Sequence, residues 1–415
     1  MSDSLLPGCR VLDLADEKGF LCGRILGDMG ADVIKVERPG GDPARNIGPF
    51  YKDIPSSEKS LFWFAYNASK RGITLDIESR DGQAIFRELA EGSDFLVESF
   101  KPGHLDSIGI GYRDLRTTNP GLVMVSISPF GGSGPYSEYE GPDLTCMAMG
   151  GFMATAGDED KPPVRVSFPQ AFLHASAQAA AGAMIAHVYR EATGLGQHVD
   201  VSAQEAVIWT IQNATGVWDL NRINIKRSGA TKLRPNGSRF RMHWPCKDGH
   251  VTLGAQASRA VVGEAWASLA KWMESEGAAD DYVKEKDWST LDFFNISQDE
   301  LDRIMKAGTD FFEGKTRREL YEGAIKRRVL LYPVNSIDEL VGYEQLKARE
   351  FFQAVEHPEL GESLTYPGTF VRLSEGKCEV RRRAPLIGEH NVEVYGGEMG
   401  MSRGEMVVLK ATGVI

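Results

Sequence analysis

Cysteine is scarce in this chain, and a long apolar segment is missing. The five cysteines show no Cys-x-x-Cys or Cys/His spacing, so the sequence predicts neither a disulfide framework nor a metal site. No run approaches the roughly 18 uninterrupted apolar residues of a membrane span. The first residues also lack the basic start and apolar stretch of a signal peptide. We therefore expect a soluble protein of the reducing cytoplasm with no membrane partner.

An excess of positive charge is missing too. The chain has 47 lysines and arginines against 58 aspartates and glutamates, which gives a formal net charge of -11 at pH 7. This balance opposes binding to DNA or to an anionic bilayer, although a small phosphorylated ligand can still be held in a local basic pocket. Nucleic acid is therefore not an expected partner.

The glycine-rich fingerprint of dinucleotide-binding proteins is absent as well. Residues 10–14 are predicted to form a buried strand and residues 20–29 a helix. The turn between them carries Asp16 and Glu17 instead of Gly-x-Gly-x-x-Gly. Two carboxylates at that turn would repel a pyrophosphate placed on the helix N-terminus. The sequence thus argues against NAD or FAD as a cofactor, even for a Rossmann-like sheet.

Strands and helices alternate along the first 130 residues. Apolar strands are predicted at residues 32–37, 94–97 and 122–127, and Ser79 is a good N-cap for an amphipathic helix. Such alternation is typical of a mostly parallel sheet with helices on both faces. A chain of 415 residues is also longer than one ordinary domain. We therefore predict an α/β protein of two domains.

Five short motifs follow one another along the chain. They are Gly-Ala-Asp-Val-Ile-Lys-Val-Glu at 30–37, Asn-Ala-Ser-Lys-Arg at 67–71, Val-Glu-Ser-Phe-Lys-Pro-Gly at 97–103, Thr-Gly-Leu-Gly-Gln at 193–197 and Ala-Pro-Leu-Ile-Gly-Glu-His-Asn at 384–391. In type and order they resemble motifs of the class III CoA-transferases, the formyl-CoA transferase and carnitine CoA-transferase family. The resemblance covers nearly the whole chain.

This resemblance implies an architecture. Family members have a large Rossmann-like α/β domain, built from the N- and C-terminal segments, and a smaller inserted α+β domain. Two such chains pass through one another to form an interlocked dimer. On this pattern we expect the large domain at residues 1–221 and 334–415 and the inserted domain at 222–333. Within the insert, residues 248–253 are predicted to form a hairpin strand.

A set of positions matches the coenzyme A site of the family. The predicted CoA-binding residues are Asp16, Glu17, Lys18, Arg38, Arg71, Leu75, Ser99, Phe100 and Ile108. The resemblance places the first three near the thioester, and Arg38 and Arg71 lie by strand ends, where α/β sheets bind phosphates. Two departures stand out, because Ser107 replaces a frequent arginine and Glu17 replaces a polar amide. Glu17 would repel a carboxylate substrate unless it is protonated or paired with Lys18.

One further position departs from the family in a way that decides the chemistry. Counting back from Gln197 places Phe172 where the family carries its nucleophilic aspartate, at the start of a helix. The only acidic residue between Lys161 and Asp200 is Glu191. In the family the carboxylate attacks an acyl-CoA to give a mixed anhydride and then an enzyme–CoA thioester, which a phenyl group cannot do. We therefore expect no catalytic residue in this chain.

The resemblance and this departure together predict one subunit of a heteromeric enzyme. The expected partner is a homologous CoA-transferase subunit that carries the aspartate. Heteromeric family members of anaerobic toluene degradation imply succinyl-CoA as donor and (R)-benzylsuccinate as acceptor, with CoA thioesters as substrates and no permanently bound cofactor. Two alternatives stay open: a self-sufficient homodimeric transferase or acyl-CoA isomerase that uses Glu17 or Asp143, and a non-catalytic CoA-binding scaffold. His174 does not replace the aspartate, because a helical step of two residues turns it to roughly the opposite face.

Overall fold

The chain forms two compact units. The computed structural model describes residues 4–233, 237–253, 259–292 and 295–415. The large unit consists of Met1–Phe152, Arg165–Thr215 and Glu344–Ile415, and the small unit of Met153–Val164 and Gly216–Tyr343. Within the described ranges, no helix has both the length and the apolar character that crossing a membrane requires.

The large unit is built on a six-stranded parallel sheet. Its strands are β1 (Arg10–Asp13), β2 (Asp32–Glu37), β3 (Lys70–Thr74), β4 (Phe95–Glu98), β5 (Val123–Ser128) and β6 (His198–Ser202). They lie in the order β3-β2-β1-β4-β5-β6, and every neighbouring pair is parallel. The predicted α/β class is therefore confirmed. The strand order reverses between β1 and β4, which is where open α/β sheets bind their ligands.

Helices connect these strands. They are α1 (Phe20–Asp28), α2 (Leu61–Asn67), α3 (Arg80–Glu91), α4 (His104–Ser107), α5 (Tyr112–Leu115), α6 (Asp143–Met149), α7 (Ala171–Thr193), α8 (Ala203–Trp209) and α9 (Gln212–Asn221). Short 3-10 turns occur at Pro43–Asn46, Tyr51–Asp53 and Phe152–Thr155. Ser79 caps α3 as predicted, since its hydroxyl accepts from the Gly82 N–H at 3.0 Å.

Small residues set the packing of α7. Ala175, Ala179 and Ala183 recur at steps of four residues and are fully buried. Because an alanine row keeps the helix surface flat, α7 packs closely against α1 and β5. The helix ends at Gly194, whose φ of +76° is the left-handed cap conformation that glycine adopts without strain.

The small unit combines short antiparallel sheets with helices. Its strands are β7 (Thr231–Leu233), β8 (Arg239–Arg241), β9 (His243–Cys246), β10 (Gly249–Leu253) and β11 (Leu331–Pro333). Its helices are α10 (Arg259–Ser275), α11 (Asp281–Glu285), α12 (Gln298–Glu313), α13 (Arg317–Arg327) and α14 (Ile337–Gly342), with a 3-10 turn at Trp288–Thr290. The predicted hairpin strand at 248–253 corresponds to β10, which pairs antiparallel with β9 and β11. Trp244, Trp266 and Phe312 lie in its core.

The small unit differs in extent from the predicted inserted domain, because residues 153–164 belong to it. The Gly229 N–H donates to the Gly157 carbonyl at 2.9 Å, and Arg227 Nη2 donates to the Lys161 carbonyl at 3.2 Å. Contacts of this kind across more than 60 residues leave no periodic signal in the sequence.

The remaining elements return to the large unit. They are α15 (Glu344–Ala348), the hairpin β12 (Phe352–His357) and β13 (Glu362–Pro367), a π-helical segment at Val392–Glu398 and α16 (Arg403–Ala411).

Arg71 on β3 holds this end of the chain. Its guanidinium donates to Asp32 at 2.6 and 2.9 Å, to Glu393 at 2.8 Å and to Glu398 at 2.5 Å. A bidentate pair plus two further carboxylates uses most of the donors of one arginine.

Candidate active site

Two turns meet at the switch point of the sheet. One follows β1 and carries Asp16 to Lys18, and the other follows β4 and begins at Ser99. The Asp16 N–H donates to Ser99 Oγ at 2.8 Å, and that hydroxyl donates to Asp16 Oδ1 at 2.6 Å. The Lys18 ammonium forms an ion pair with Asp16 Oδ2. The structure thus brings together Asp16, Lys18 and Ser99, whereas the resemblance places Ser99 at the adenine and phosphate end of CoA and Asp16 and Lys18 near the thioester.

A cavity of about 940 Å³ opens beside these turns within the large unit. Glu17, Lys18, Ser99 and Phe100, all predicted CoA-binding residues, line it. It is also lined by residues from α2, α6 and α7. Its volume is that of a pocket for a small-molecule ligand. We take this cavity as the candidate active site.

Phe172 lies in the first turn of α7 and lines the cavity, with 6% of its surface exposed. Its N–H donates to Asp143 Oδ1 at 3.3 Å, a carboxylate in the first turn of α6 that also lines the cavity. One helical turn further along, Ser176 Oγ donates to the Lys18 carbonyl at 3.0 Å. Helix α7 is therefore tied directly to the turn after β1.

Burial sets the charge state of Glu17. Desolvation raises the pKa of its carboxyl, the neighbouring Asp16 carboxylate raises it further, and the Lys18 ammonium partly opposes both. A raised pKa favours the neutral acid, which donates a hydrogen bond instead of repelling an anion. Glu17 therefore repels a carboxylate substrate less than its formal charge suggests.

Two buried ammonium groups hold the turn after β1 from beneath. Lys35 Nζ donates to the Ala15 carbonyl at 2.5 Å and to the Asp13 carbonyl at 3.3 Å. Lys70 Nζ donates to Asp13 Oδ2 at 2.7 Å and to the Phe20 carbonyl at 2.9 Å. The side chains of Asp13, Lys35 and Lys70 are fully buried. The sequence does not predict this role of Lys70, because its partners Asp13 and Phe20 lie 57 and 50 residues earlier in the chain.

The other predicted CoA-binding residues lie outside the lining of this cavity. Arg38 is exposed and contacts only the Gly41 carbonyl among the described residues, at 3.3 Å. Arg71 is held by Asp32 and by carboxylates of the C-terminal segment, and Leu75 lies in the core. Ile108 packs partly buried against that core. Their contact with CoA stays a prediction.

Comparison with known proteins now gives the family. A sequence model described as CoA-transferase family III matches residues 6–391. The chain belongs to this family. Among solved structures, the family III chain is similar to a CAIB/BAIF family protein from Brucella suis, with a TM-score of 0.80 and 25% identity over 95% of this chain and 99% of that one.

Curated relatives cover the family III chain almost completely. It is 37% identical to "Succinyl-CoA:(R)-benzylsuccinate CoA-transferase subunit BbsE" of Thauera aromatica, over 93% of this chain and 92% of the relative. It is 32% identical to the formyl-CoA:oxalate CoA-transferase of Streptomyces avermitilis, over 99% of both chains. The chain is therefore of CoA-transferase type, as the sequence motifs predict.

A second cleft of about 570 Å³ lies over β4, β5 and β6 of the family III chain. Glu98, Ser126 and His198 line it. The Phe100 N–H donates to Glu98 Oε2 at 2.7 Å, and Ser126 Oγ lies 2.7 Å from His198 Nε2. Burial raises the pKa of Glu98 to about 7, against the hydrogen bonds from Ser126 and Phe100. Burial also lowers the pKa of His198, which favours the neutral imidazole.

The Glu98→Gln variant is expected to remove a pH-dependent loss of stability. The ordinary pKa of a glutamate is 4.5, and that of Glu98 in the folded chain is about 7. Between these two pH values Glu98 is protonated in the folded chain and ionised in the unfolded chain, so the free energy of unfolding falls as the pH rises. Above pH 7 this raised pKa lowers the free energy of unfolding by about 3 kcal/mol. Urea unfolding at pH 5, 6, 7 and 8 should show a flatter profile for the variant and greater stability at pH 8.

The matched control is Glu88→Gln on the exposed face of α3. Burial also raises the pKa of Asp28 to about 6, so Asp28 makes the free energy of unfolding fall with rising pH in the same way. Each variant is therefore compared with the parent chain. Equal pH profiles for the parent and Glu98→Gln would contradict the expectation.

Proposed function

We propose that this chain is a subunit of a heteromeric class III CoA-transferase that moves CoA from succinyl-CoA to a carboxylic acid. We take (R)-benzylsuccinate, in anaerobic toluene degradation in the cytoplasm, as the acceptor. CoA thioesters and acids are the substrates, and no permanently bound cofactor takes part. The observation that carries the proposal is Phe172, which lines the cavity at the position matching the nucleophilic aspartate of the family. A homologous partner subunit supplies that aspartate.

The chemistry explains why the partner is needed. A carboxylate oxygen must attack the thioester carbonyl of succinyl-CoA, expel CoA thiolate and form a mixed anhydride. The thiolate then attacks the enzyme carbonyl of this anhydride, which forms an enzyme–CoA thioester and releases succinate. The phenyl ring of Phe172 has no lone pair for this attack. Asp143 is the nearest carboxylate by hydrogen bonding, but its Oδ1 accepts the Phe172 N–H at the N-terminus of α7. That hydrogen bond occupies one lone pair of Oδ1 and so hinders attack by this oxygen on a thioester.

The names of similar proteins support a heteromer. The relative from Thauera aromatica is called a subunit. The chain is also 30% and 29% identical to the beta and alpha subunits of a succinyl-CoA–L-malate CoA-transferase from Chloroflexus aurantiacus, each over 99% of this chain. Two different subunits of one enzyme thus both resemble this chain, which is the relationship we propose between it and its partner.

An apolar face on α7 is a candidate part of the interface with the partner subunit. Ile185 is 72% exposed and Val188 is 67% exposed, and Tyr189 beside them is half exposed. Apolar helix surfaces of this extent gain free energy when a partner covers them.

The double variant Ile185→Lys/Val188→Lys is expected to weaken association with the partner subunit by about 100-fold or more. Each side chain loses about 1.5–3 kcal/mol of burial, and every 1.4 kcal/mol is a factor of ten. Light scattering during size-exclusion chromatography of the coexpressed subunits measures the change. The control, Glu88→Lys/Glu91→Lys on α3, adds two lysines at the same spacing on an exposed face. Unchanged assembly of the α7 variant would exclude this face from the interface.

The direct test is a CoA-transfer assay with succinyl-CoA and a panel of acids that includes (R)-benzylsuccinate. It is run on this chain alone and on the chain coexpressed with a homologue that carries the aspartate. Activity only in the second case supports the proposal. Activity of this chain alone would replace it by a self-sufficient enzyme, for which Asp143 is the first candidate because its carboxylate lies beside Phe172 in the cavity. Asp143→Asn would then abolish the activity.

A further inference from the structure

The candidate active site has an aromatic wall. Six aromatic side chains line the cavity: Phe62, Tyr66, Phe100, Tyr139, Phe168 and Phe172. Phe62 and Tyr66 lie one turn apart on α2, with ring centroids 4.8 Å apart. Leu61, Ile47 and several prolines add further apolar surface. A wall of this kind favours a ligand with an aromatic ring, because each well-placed ring pair adds about 0.5–1.5 kcal/mol to the burial of apolar area.

A polar end adjoins this wall. Lys18, Glu17 and Ser99 line the same cavity. The Lys18 ammonium has three N–H donors, and its recorded hydrogen bond, to Asp16, uses one of them. The other two can donate to a ligand carboxylate, which is a charge-assisted hydrogen bond. The cavity therefore combines a surface for a ring with a cation for an acid group.

Phe172 changes what this cavity can do with such a ligand. A carboxylate at that position would place a negative charge against an acid ligand, whereas the phenyl ring extends the apolar wall. The ring is almost fully buried, so it is packed in place and adds contact area with little loss of side-chain entropy on binding. Phe172 cannot act as a nucleophile, and the same ring improves the fit of an aromatic acid that does not react.

We propose that this cavity is a non-catalytic binding site for an aromatic carboxylic acid, with the aromatic ring against the Phe172 wall and the carboxylate on Lys18. Each heteromer then holds one acid that reacts at the partner's aspartate and a second acid that does not react. The proposed function guides only the choice of test acids, since binding here requires neither CoA nor turnover.

The test is calorimetric titration of the purified chain, and of the heteromer whose partner aspartate is replaced by alanine. The probes are 3-phenylpropionate and benzylsuccinate, with succinate as an acid without a ring and benzyl alcohol as a ring without an acid. Saturable binding is expected for the two aromatic acids. Phe172→Asp should weaken it about tenfold or more, and Lys18→Met should weaken the acids but not benzyl alcohol.

Two further variants keep the test decisive. Phe168→Ala removes a ring that is 64% exposed, so this variant should keep the fold. It tests the aromatic wall even if Phe172→Asp does not fold. Phe370→Ala is the control, because this ring is 58% exposed and does not line the cavity. Phe168→Ala should weaken aromatic acids severalfold, and Phe370→Ala should leave their affinity unchanged.

Three outcomes would overturn the proposal. They are succinate binding as tightly as 3-phenylpropionate, aromatic acids that do not saturate the chain up to about 10 mM, and affinity that neither Phe172→Asp nor Phe168→Ala changes. A titration with benzylsuccinyl-CoA separates the free acid from its thioester. Binding of the thioester alone would assign the affinity to the CoA moiety and refute an acid site. A chain that binds aromatic acids but shows no transfer in any complex would contradict the proposed function and leave this inference standing.

Discussion

Replacing the partner's aspartate that matches Phe172 with alanine is expected to lower CoA transfer by the heteromer at least about 1,000-fold. The reaction then has no group that can accept the acyl chain or carry CoA as a thioester. Phe172→Asp in this chain should leave the rate within about twofold of the parent, because the chemistry already runs in the partner subunit. Initial rates at saturating succinyl-CoA and benzylsuccinate measure both effects.

A covalent label gives an independent readout of the same expectation. Incubation with succinyl-CoA followed by hydroxylamine converts an enzyme-bound thioester into a hydroxamate at the attacked carboxyl. Mass spectrometry should find this modification on the partner aspartate and not on Glu17 or Asp143 of this chain. Full activity after the partner substitution, or a label on this chain, would contradict the division of labour between subunits.

Asp13→Ala is expected to produce the largest loss of stability. Among the residues that the structure describes, its carboxylate is the only one that forms an ion pair with the ammonium groups of Lys35 and Lys70, and all three side chains are buried. Removal of one partner from a buried ionic cluster leaves charge without compensation, which costs about 3–5 kcal/mol. The free energy of unfolding from urea titration should fall by this amount, and so should the yield of folded chain.

Two comparisons make this expectation specific. Asp81→Ala alters an exposed carboxylate in the first turn of α3 and should change stability far less. Adding Lys35→Met and Lys70→Met to Asp13→Ala should recover much of the loss, since well-packed apolar side chains can replace a buried ion cluster. If Asp13→Ala cost no more than Asp81→Ala, the cluster would not support the turn after β1.

Local patterns predict much of the large unit. The strand at 32–37 has the predicted bounds, and Ser79 caps the predicted helix. These features depend on neighbouring residues, because alternation, capping and small-residue spacing act over a few positions. The resemblance singles out the turn after β1 and Ser99, but it does not predict the hydrogen bonds that join Asp16 to Ser99.

Contacts between distant residues are the part that the sequence did not predict. Two of the three acidic partners of Arg71, Glu393 and Glu398, are more than 300 residues away, so no local pattern predicts these ion pairs. Lys70 is similarly buried against Asp13, 57 residues earlier. The aromatic wall was also missed, since its rings come from α2, α7 and several loops. No periodic pattern links side chains that only the folded sheet brings together.

The Arg71 contacts also bear on how the protein is made. Glu393 follows Arg71 by 322 residues, so a ribosome adding about 5–20 residues per second needs roughly 16–64 s to supply it. During that interval the guanidinium has only Asp32 as an acidic partner, and the large unit cannot complete its edge at β3. The whole small unit, residues 153–164 and 216–343, is synthesised within the same interval. Translation therefore lets residues 216–343 fold before the C-terminal segment brings its carboxylates to the edge of the sheet at β3.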